Sequence, residues 1–208
     1  KLDDKTIGSP TTKLTPGPDR VVVFQSGGLF QWKTLLENVM FGPVMQGSMS
    51  KADAKMKAME LLNLIGLEEF ANSYPLSISS GMQRNIELVR ALMTDPKIIL
   101  LDEPFRAMDA LSKSIVHQYV LKVYSHSRKS IFFITHDLDE AIYLSDRVFI
   151  MTTRPGRLKE SIEVSLPRPR TIDMLGSTEF LRLKEKVFDL VHEEALKAFE
   201  RGEKELAR

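Results

Sequence analysis

Hydrophobic and polar positions follow two different rhythms along this chain. Short, continuous apolar runs occupy 21–24, 98–101 and 131–134, and each stops at polar residues, namely Gln25, the pair Asp102-Glu103, and Thr135-His136. Apolar runs of this length, bounded by a polar residue or a proline, predict buried strands. A fourth strand is predicted over 147–152, where the same kind of run recurs.

Between these runs, apolar residues recur every three or four positions, which predicts helices. Ser50 and Asp53 offer a capping start for a helix over 50–65 that stops at Gly66. A second helix is predicted over 80–93, before Asp95-Pro96, because its apolar residues share one face. Further helices are predicted over 110–127, 137–144 and 178–200. Loops with one short strand are predicted over 1–20, and an exposed connection over 163–170.

Strands that alternate with helices predict an α/β fold whose parallel or mixed sheet is covered on both faces. A chain of 208 residues with 43% hydrophobic content can bury one large core. We expect one domain over 1–208, with a helical subdomain at about 45–95, the core strands at about 96–160 and a C-terminal extension at about 161–208.

Composition excludes several classes of function. The 29 lysines and arginines nearly balance the 28 acidic residues, and no dense basic block is present, which disfavours a nucleic-acid partner. The absence of cysteine excludes disulfides, thiolate metal sites and a cysteine nucleophile. The apolar runs are too short to cross a bilayer and no signal-peptide pattern opens the chain. Any membrane association is therefore expected to go through a protein partner.

Chemistry-bearing side chains follow three of the predicted strands. Open parallel sheets bind ligands at the carboxyl ends of their strands. Asp102 is suited to hold magnesium and Glu103 to take a proton from an attacking water. His136 can hydrogen-bond a γ-phosphate, and the Gln25 amide can coordinate a cation or a water. Each assignment has an alternative. Asp102 and Glu103 could lie in an ordinary surface turn, His136 could be a packed or helix-capping histidine, and Gln25 could simply be a polar residue at the end of a strand.

A fourth segment, 78–82, precedes the predicted helix over 80–93. Ser79, Ser80, Gly81 and Met82 would leave unpaired backbone amides at a helix N-terminus, which attracts phosphate. The alternative is a serine N-cap with a glycine nearby.

Taken together, these segments resemble the ATP-binding subunits of ABC transporters over about residues 18–160. The motifs that carry the resemblance are Gln25, Ile78-Ser79-Ser80-Gly81-Met82, Asp102-Glu103-Pro104, Ala107-Met108-Asp109 and Thr135-His136-Asp137. Segments 28–32, 137–141 and 153–157 look most like the importer branch that handles nitrate, sulfonate and taurine. The resemblance implies an ABC ATPase core of the P-loop NTPase type.

The resemblance also implies a role for each site residue. Gln25 looks like the Q-loop glutamine that contacts metal and water, and residues 79–82 like the signature motif that closes over the ATP of a partner subunit. Asp102 matches the Walker B aspartate that holds magnesium, and Glu103 the catalytic glutamate. Asp109 resembles the D-loop aspartate at a dimer interface, and His136 the switch histidine.

The sequence departs from the family pattern at three places. No Gly-x-x-x-x-Gly-Lys-Ser/Thr loop is present, since none of the 11 glycines is followed by lysine. Ser80 stands where the signature usually has glycine, with Ile78 in place of leucine. Arg106 and Met108 stand where smaller or different residues are common. We expect the chain to be the greater part of an active subunit that binds ATP poorly without its phosphate loop.

The resemblance implies ATP and Mg²⁺ as ligands, a second ATPase subunit and transmembrane permease subunits as partners, and a solute-binding protein as an indirect partner. It implies a peripheral location at the cytoplasmic face of the membrane and the import of a small anion driven by ATP hydrolysis. Two alternatives stay open: a regulatory or assembly subunit that does not hydrolyse ATP, and a soluble ABC-type ATPase acting on DNA or in translation.

Overall fold

A computed structural model describes residues 17–106, 108–127 and 129–206, with side chains described up to residue 202. The predicted loops and strand before residue 17, and Ala107 of the D-loop segment, lie outside these residues. The described chain forms two compact units. One comprises the residues up to Pro104 together with Ser127–Phe132, and the other comprises Phe105–His126 and Phe133–Arg208.

In the first unit, the sheet is built around two parallel strands. Strand β1 (Arg20–Val23) pairs in parallel with β2 (Ile98–Asp102), with Val23 opposite Leu101, and β3 (Ser130–Ile134) is the neighbour of β2 on its other side. All three strands agree with the prediction to within a residue or two. The sequence therefore predicted which segments form the sheet.

The prediction that the sheet is covered on both faces is wrong for the described residues. Val23 and Leu101 are buried, whereas Val22 is 41% and Phe132 is 49% exposed. Residues that alternate along a strand point to opposite faces. One face of the sheet therefore packs into the core and the other is only partly covered by the part of the chain that the structure describes.

Three helices pack against one another in this unit, α1 (Leu35–Met45), α2 (Lys51–Leu64) and α3 (Ser80–Met93), and α3 also contacts β1. Helices α2 and α3 confirm the predicted helices over 50–65 and 80–93. Helix α1 was not predicted, because Gly42-Pro43 inside it is a typical helix breaker. Thr34 nevertheless starts it with a capping box, in which its hydroxyl accepts from the Glu37 amide and the Glu37 carboxylate accepts from the Thr34 amide.

The second unit contains α4 (Ala110–Ser127, which runs one residue past the unit boundary), α5 (Leu138–Leu144), the antiparallel strands β4 (Arg147–Met151) and β5 (Leu158–Glu163), and α6 (Thr178–Leu206). Strand β5 was not predicted. The predicted exposed connection over 163–170 is wrong in part, because Val164 and Leu166 belong to the hydrophobic core and Arg170 is buried. Arg170 donates to the carbonyls of Ile142, Tyr143 and Ser145 and so satisfies the C-terminal end of α5.

Within the described residues, no helix combines the length and the apolar character needed to span a bilayer.

Candidate functional site

The first unit brings two of the predicted strand-end groups to one edge of the sheet. Because Val23 is the register partner of Leu101 in the parallel pair, continuing both chains by two residues leads to Gln25 on one strand and Glu103 on the other. Neighbouring strands lie about 4.8 Å apart. Gln25, Asp102 and Glu103 therefore leave the sheet at the same edge, as expected of a ligand site at the carboxyl ends of parallel strands.

Asp102 is the last residue of β2 and is exposed. Glu103, which follows it, adopts a φ of 39°. This value lies in the left-handed region, which residues other than glycine and asparagine rarely adopt. Backbone strain of this kind persists where the surrounding structure holds it, and it concentrates at functional sites. The chain thus turns sharply at the position that the resemblance assigns to the catalytic glutamate.

Residues 79–82 lie at the N-terminus of a helix, as the sequence predicted. Helix α3 begins at Ser80 after an extended Ser79, whose hydroxyl accepts from the Met82 amide at 3.3 Å. Ser79 therefore acts as the serine N-cap that was the alternative interpretation. An N-cap of this kind does not exclude phosphate binding, because it satisfies only one of the free amides of the first turn. Ser79 and Ser80 are exposed, whereas Gly81 is buried.

A set of polar side chains that the sequence did not predict holds the loop after β1, residues 24–28, against helix α3. Arg84 donates to the carbonyl oxygens of Phe24 and Gln25, each at 2.8 Å. Glu87 accepts from the Gly28 amide at 2.5 Å and from Arg84 Nη1 at 2.5 Å. Both side chains are less than a tenth exposed. Oppositely charged residues three apart on a helix are common at surfaces, so the sequence carries no signal for their burial.

The second unit places the remaining site residues around the start of helices α4 and α5. Asp109 caps α4 by accepting from the Ser112 amide at 2.9 Å, and these hydrogen bonds with Ser112 keep the pKa of Asp109 below its usual value. His136 is exposed in the loop between β3 and α5. The residues on either side of His136 are fixed, since the Thr135 hydroxyl accepts from the Asp137 amide and Asp137 accepts from the amides of Asp139 and Glu140.

Beneath this histidine loop lies a buried charged network that joins α4 to α5. Lys113 Nζ lies 3.0 Å from an Asp137 oxygen and 2.9 Å from Glu140 Oε1, and the Thr135 hydroxyl donates to Glu140 Oε2 at 2.7 Å. Glu140 is 4% exposed, and His117 Nε2 lies 3.6 Å from it. This Lys113 network ties the segment after Asp109 to the segment that carries His136.

The network favours the charged forms of Lys113, Asp137 and Glu140. Burial raises the pKa of Glu140, but the side chains of His117, Lys113 and Thr135 outweigh this effect and leave the pKa below its ordinary value. The pKa of Asp137 is lowered in the same way, with burial opposed by Lys113 and by the helix amides. Burial lowers the pKa of Lys113, whereas Glu140 and Asp137 raise it, and the net shift is upward.

The donor set at the sheet edge suits magnesium bound together with a nucleotide. Among the described residues, no group of three or more histidines and carboxylates is arranged to hold a metal. Magnesium keeps several waters and is usually held by one or two protein oxygens together with substrate phosphates. The Asp102 carboxylate and the Gln25 amide oxygen are enough for this type of binding.

Comparison with known proteins identifies the family. The family model described as "ABC transporter" matches residues 2–106. An uncharacterized ABC transporter ATP-binding protein of Methanocaldococcus jannaschii is 43% identical over 88% of this chain and 67% of its own length. The taurine import ATP-binding protein of Rhizobium johnstonii is 36% identical over 85% of this chain and 69% of its own length. The chain thus spans about two thirds of the length of the relatives that it matches.

Solved structures show the same fold. A bacterial ABC transporter cassette solved as a dimer superposes with a TM-score of 0.59 at 29% identity, covering 72% of this chain and 65% of the cassette. The same cassette, solved in a post-hydrolysis state bound to ADP and Pi, superposes with a TM-score of 0.57 at 30% identity, over 72% of this chain and 64% of the cassette.

The fold and these relatives together define an ATP-binding subunit of the ABC type. This chain belongs to the ABC transporter ATP-binding family, and its relatives include ATP-binding proteins of import systems.

Proposed function

We propose that the intact subunit, in which this chain is joined to a glycine-rich phosphate loop, hydrolyses ATP to drive the import of a small anion of the nitrate, sulfonate or taurine class. The observation that carries this proposal is the shared edge of β1 and β2, where Gln25, Asp102 and Glu103 leave the sheet together. The taurine-importing relative supports the solute class.

At this edge the two carboxylates have separate roles. Glu103, at the turn after β2, accepts the proton of the water that attacks the γ-phosphate. Asp102 and the Gln25 oxygen would hold magnesium, which would supply positive charge against the phosphates. His136 supplies a hydrogen bond to the γ-phosphate. The water oxygen bonds to the γ-phosphorus, the water proton goes to Glu103, and ADP leaves.

A second copy of the subunit completes the site in this proposal. The N-terminal amides of α3, at residues 79–82, face the phosphates of the ATP held by the opposite subunit. Asp109 lies at the same interface. The dimeric cassette among the solved structures supports this arrangement. Ser80 is exposed rather than packed, which leaves its side chain room to turn away from an approaching phosphate.

Coupling to a permease would use an apolar groove of about 300 Å³ beside the Gln25 loop. Phe30 lines this groove, and its other walls come from β1, α1 and α3. Apolar grooves of this kind accept the apolar face of a short helix. A permease helix seated there would contact Phe24 and Gly28, and through them the loop that carries Gln25. The intact subunit would then lie at the cytoplasmic face of the membrane, held there by the permease.

The experiment that tests this function is reconstitution of the intact subunit with its permease and solute-binding protein in liposomes. We expect ATP-dependent uptake of radiolabelled taurine, an alkanesulfonate or nitrate, and loss of uptake when ATP is replaced by a non-hydrolysable analogue. Uptake that continues with the analogue would contradict the ATPase proposal. Hydrolysis without uptake of any of the three anions would leave the ATPase intact and overturn only the solute class.

A further inference from the structure

We propose that Arg84 and Glu87 are positioning residues that fix the Gln25 loop onto helix α3 in the geometry needed for ATP turnover. Neither residue belongs to the motifs described above. This inference rests on the proposed role of Gln25, and it identifies what holds that residue in place.

Side chains of one helix, α3, hydrogen-bond the backbone of the loop at several points. Arg84 Nη1 reaches the Phe24 carbonyl and Nη2 the Gln25 carbonyl, while Glu87 Oε1 accepts from the Gly28 amide. Arg90, one turn further along α3, donates to the Gly28 carbonyl at 2.7 Å and lies over the Phe30 ring. Side chains of helix α3 thus hydrogen-bond backbone groups at both ends of the loop.

The burial of the Arg84–Glu87 pair argues for positioning rather than for stability alone. The side chains of Arg84 and Glu87 are 9% and 4% exposed. Removing two charges from water costs several kcal/mol per ion, and apolar residues of similar volume often serve stability equally well. What apolar residues cannot supply is a planar donor fork that binds two successive carbonyls. The pair therefore gives the loop a defined backbone conformation.

The loop glycines show how closely the helix approaches. A Cβ placed on Gly28 would lie 3.1 Å from Arg90 Nη2, and one on Gly27 would lie 3.4 Å from Glu87 Oε1. The contact at Gly28 is tighter than almost all real Cβ contacts, so a side chain there would displace the Arg90 guanidinium, whereas a Cβ at Gly27 would only reach ordinary van der Waals distance from the Glu87 carboxylate. Gly28 is therefore the position where the loop fits most closely against the charged face of the helix.

This arrangement has a consequence for the proposed dimer. Helix α3 begins with the residues that would bind the partner's ATP and, one turn later, holds the loop that carries Gln25. One rigid helix therefore connects the two nucleotide-facing segments of the subunit. A change in the position of either segment would be passed to the other through Arg84 and Glu87.

The test uses the double variant Arg84→Met/Glu87→Gln in the intact subunit. The amide oxygen introduced at position 87 can still accept from the Gly28 amide, and no unpaired charge is left buried, so the change removes mainly the bonds to the carbonyls of Phe24 and Gln25. The control is Arg182→Met/Glu179→Gln, which removes a pair of the same residue types and spacing from the exposed surface of α6. Arg84→Lys, which keeps the charge but loses the fork, serves if the double variant folds poorly.

The first readout is kcat, measured with and without Gln25→Ala. We expect the double variant to lower kcat about tenfold with Gln25 present, since small misplacements of catalytic groups cost this much or more. In the Gln25→Ala background it should cause no further loss, because the pair acts through Gln25. Equal losses in both backgrounds would show a general structural effect and overturn the proposal.

The second readout is amide hydrogen exchange, which does not depend on ATP hydrolysis. Exchange over residues 24–28 should be at least tenfold faster in the double variant, while residues 85–93 of α3 keep their protection. An unchanged loop would overturn the proposal even if kcat fell. A wild-type subunit without any ATP turnover would instead refute the proposed function, and exchange would still decide whether the pair fixes the loop.

Discussion

Glu103 combines the proposed general base with a backbone conformation that favours glycine. Its φ of 39° follows directly on the end of β2. A left-handed conformation costs an ordinary residue about 1–2 kcal/mol. Proteins keep such strain where the side chain is needed for activity, and the carboxylate of Glu103 is the side chain that the proposed mechanism cannot lose.

This strain predicts an inverted order of stability at position 103. In most positions glycine is less stable than alanine by about 0.5–1 kcal/mol, because it loses more backbone freedom on folding. Here we expect Glu103→Gly to be more stable than Glu103→Ala by about 1 kcal/mol. Both variants lack the carboxylate, so their comparison isolates the backbone. Urea unfolding measures the difference, and alanine equal to or more stable than glycine would contradict it.

At the residue scale, the sequence predicted Gln25, Asp102 and Glu103 as candidate site residues because they stand where apolar runs end. It did not reveal Arg84 and Glu87, because a charged pair on a helix has the same pattern whether it is buried or exposed. It also did not reveal the turn at Glu103, since glutamate is not among the residues enriched at positive φ. The pattern predicted which side chains follow the strands, whereas burial and backbone conformation needed the packed structure.

At the scale of helices and loops, the Lys113 network is a connection made by charged side chains. It joins α4 to the loop and helix that follow β3, so Asp109 and His136 are attached to one charged cluster. Glu140 is buried and its charge is balanced by Lys113 at 2.9 Å. Removing one partner of a buried pair leaves the other uncompensated, which costs far more than the pair itself contributes.

We therefore predict that Lys113→Met lowers the free energy of unfolding by about 2 kcal/mol, below the usual range for fully buried pairs because Lys113 is a quarter exposed. Adding Glu140→Gln should restore part of the loss, since Thr135 can still donate to the amide oxygen. Lys122→Met, at an exposed position of the same helix, is the control. A double variant no more stable than Lys113→Met would contradict the account.

The same network makes the stability of the protein depend on pH. The pKa values of Asp137 and Glu140 are lowered in the folded protein. Their contribution to the free energy of unfolding is therefore complete above the ordinary pKa values near 4, and it is lost as the pH falls through the lowered pKa values. The stability difference between wild type and Lys113→Met should therefore shrink below about pH 4. A difference that stays constant down to pH 2 would show that Lys113 acts by packing alone.

Boundaries of most helices and strands followed from periodicity, and the exceptions have identifiable causes. Helix α1 contains Pro43, yet the Thr34 capping box and the buried residues Leu35 and Val39 stabilise it. The segment over 163–170 has the charges and prolines of a loop, but Val164 and Leu166 are buried in the same hydrophobic core as Phe180 and Leu183 of α6. In both places tertiary burial outweighed the local signal.

On the scale of the whole molecule, the described chain consists of two compact units, and the proposed active-site groups are divided between them. Gln25, Asp102 and Glu103 belong to the first unit, whereas Asp109 and His136 belong to the second. The family motifs therefore predicted a shared function for residues that the sequence alone could not place together. The chain spans about two thirds of its relatives, so the complete activity has to be measured on the intact subunit.

The central claim is that Glu103 activates the water that cleaves ATP, and phosphate release by the intact subunit with Glu103→Gln tests it most directly. Glutamine keeps the size of the side chain but cannot take a proton, so we predict that ATP binding is retained while phosphate release falls by about 10²–10⁴-fold. Phosphate release at the wild-type rate would contradict the claim. Wild-type and variant subunits that both bind ATP without releasing phosphate would point instead to a regulatory subunit.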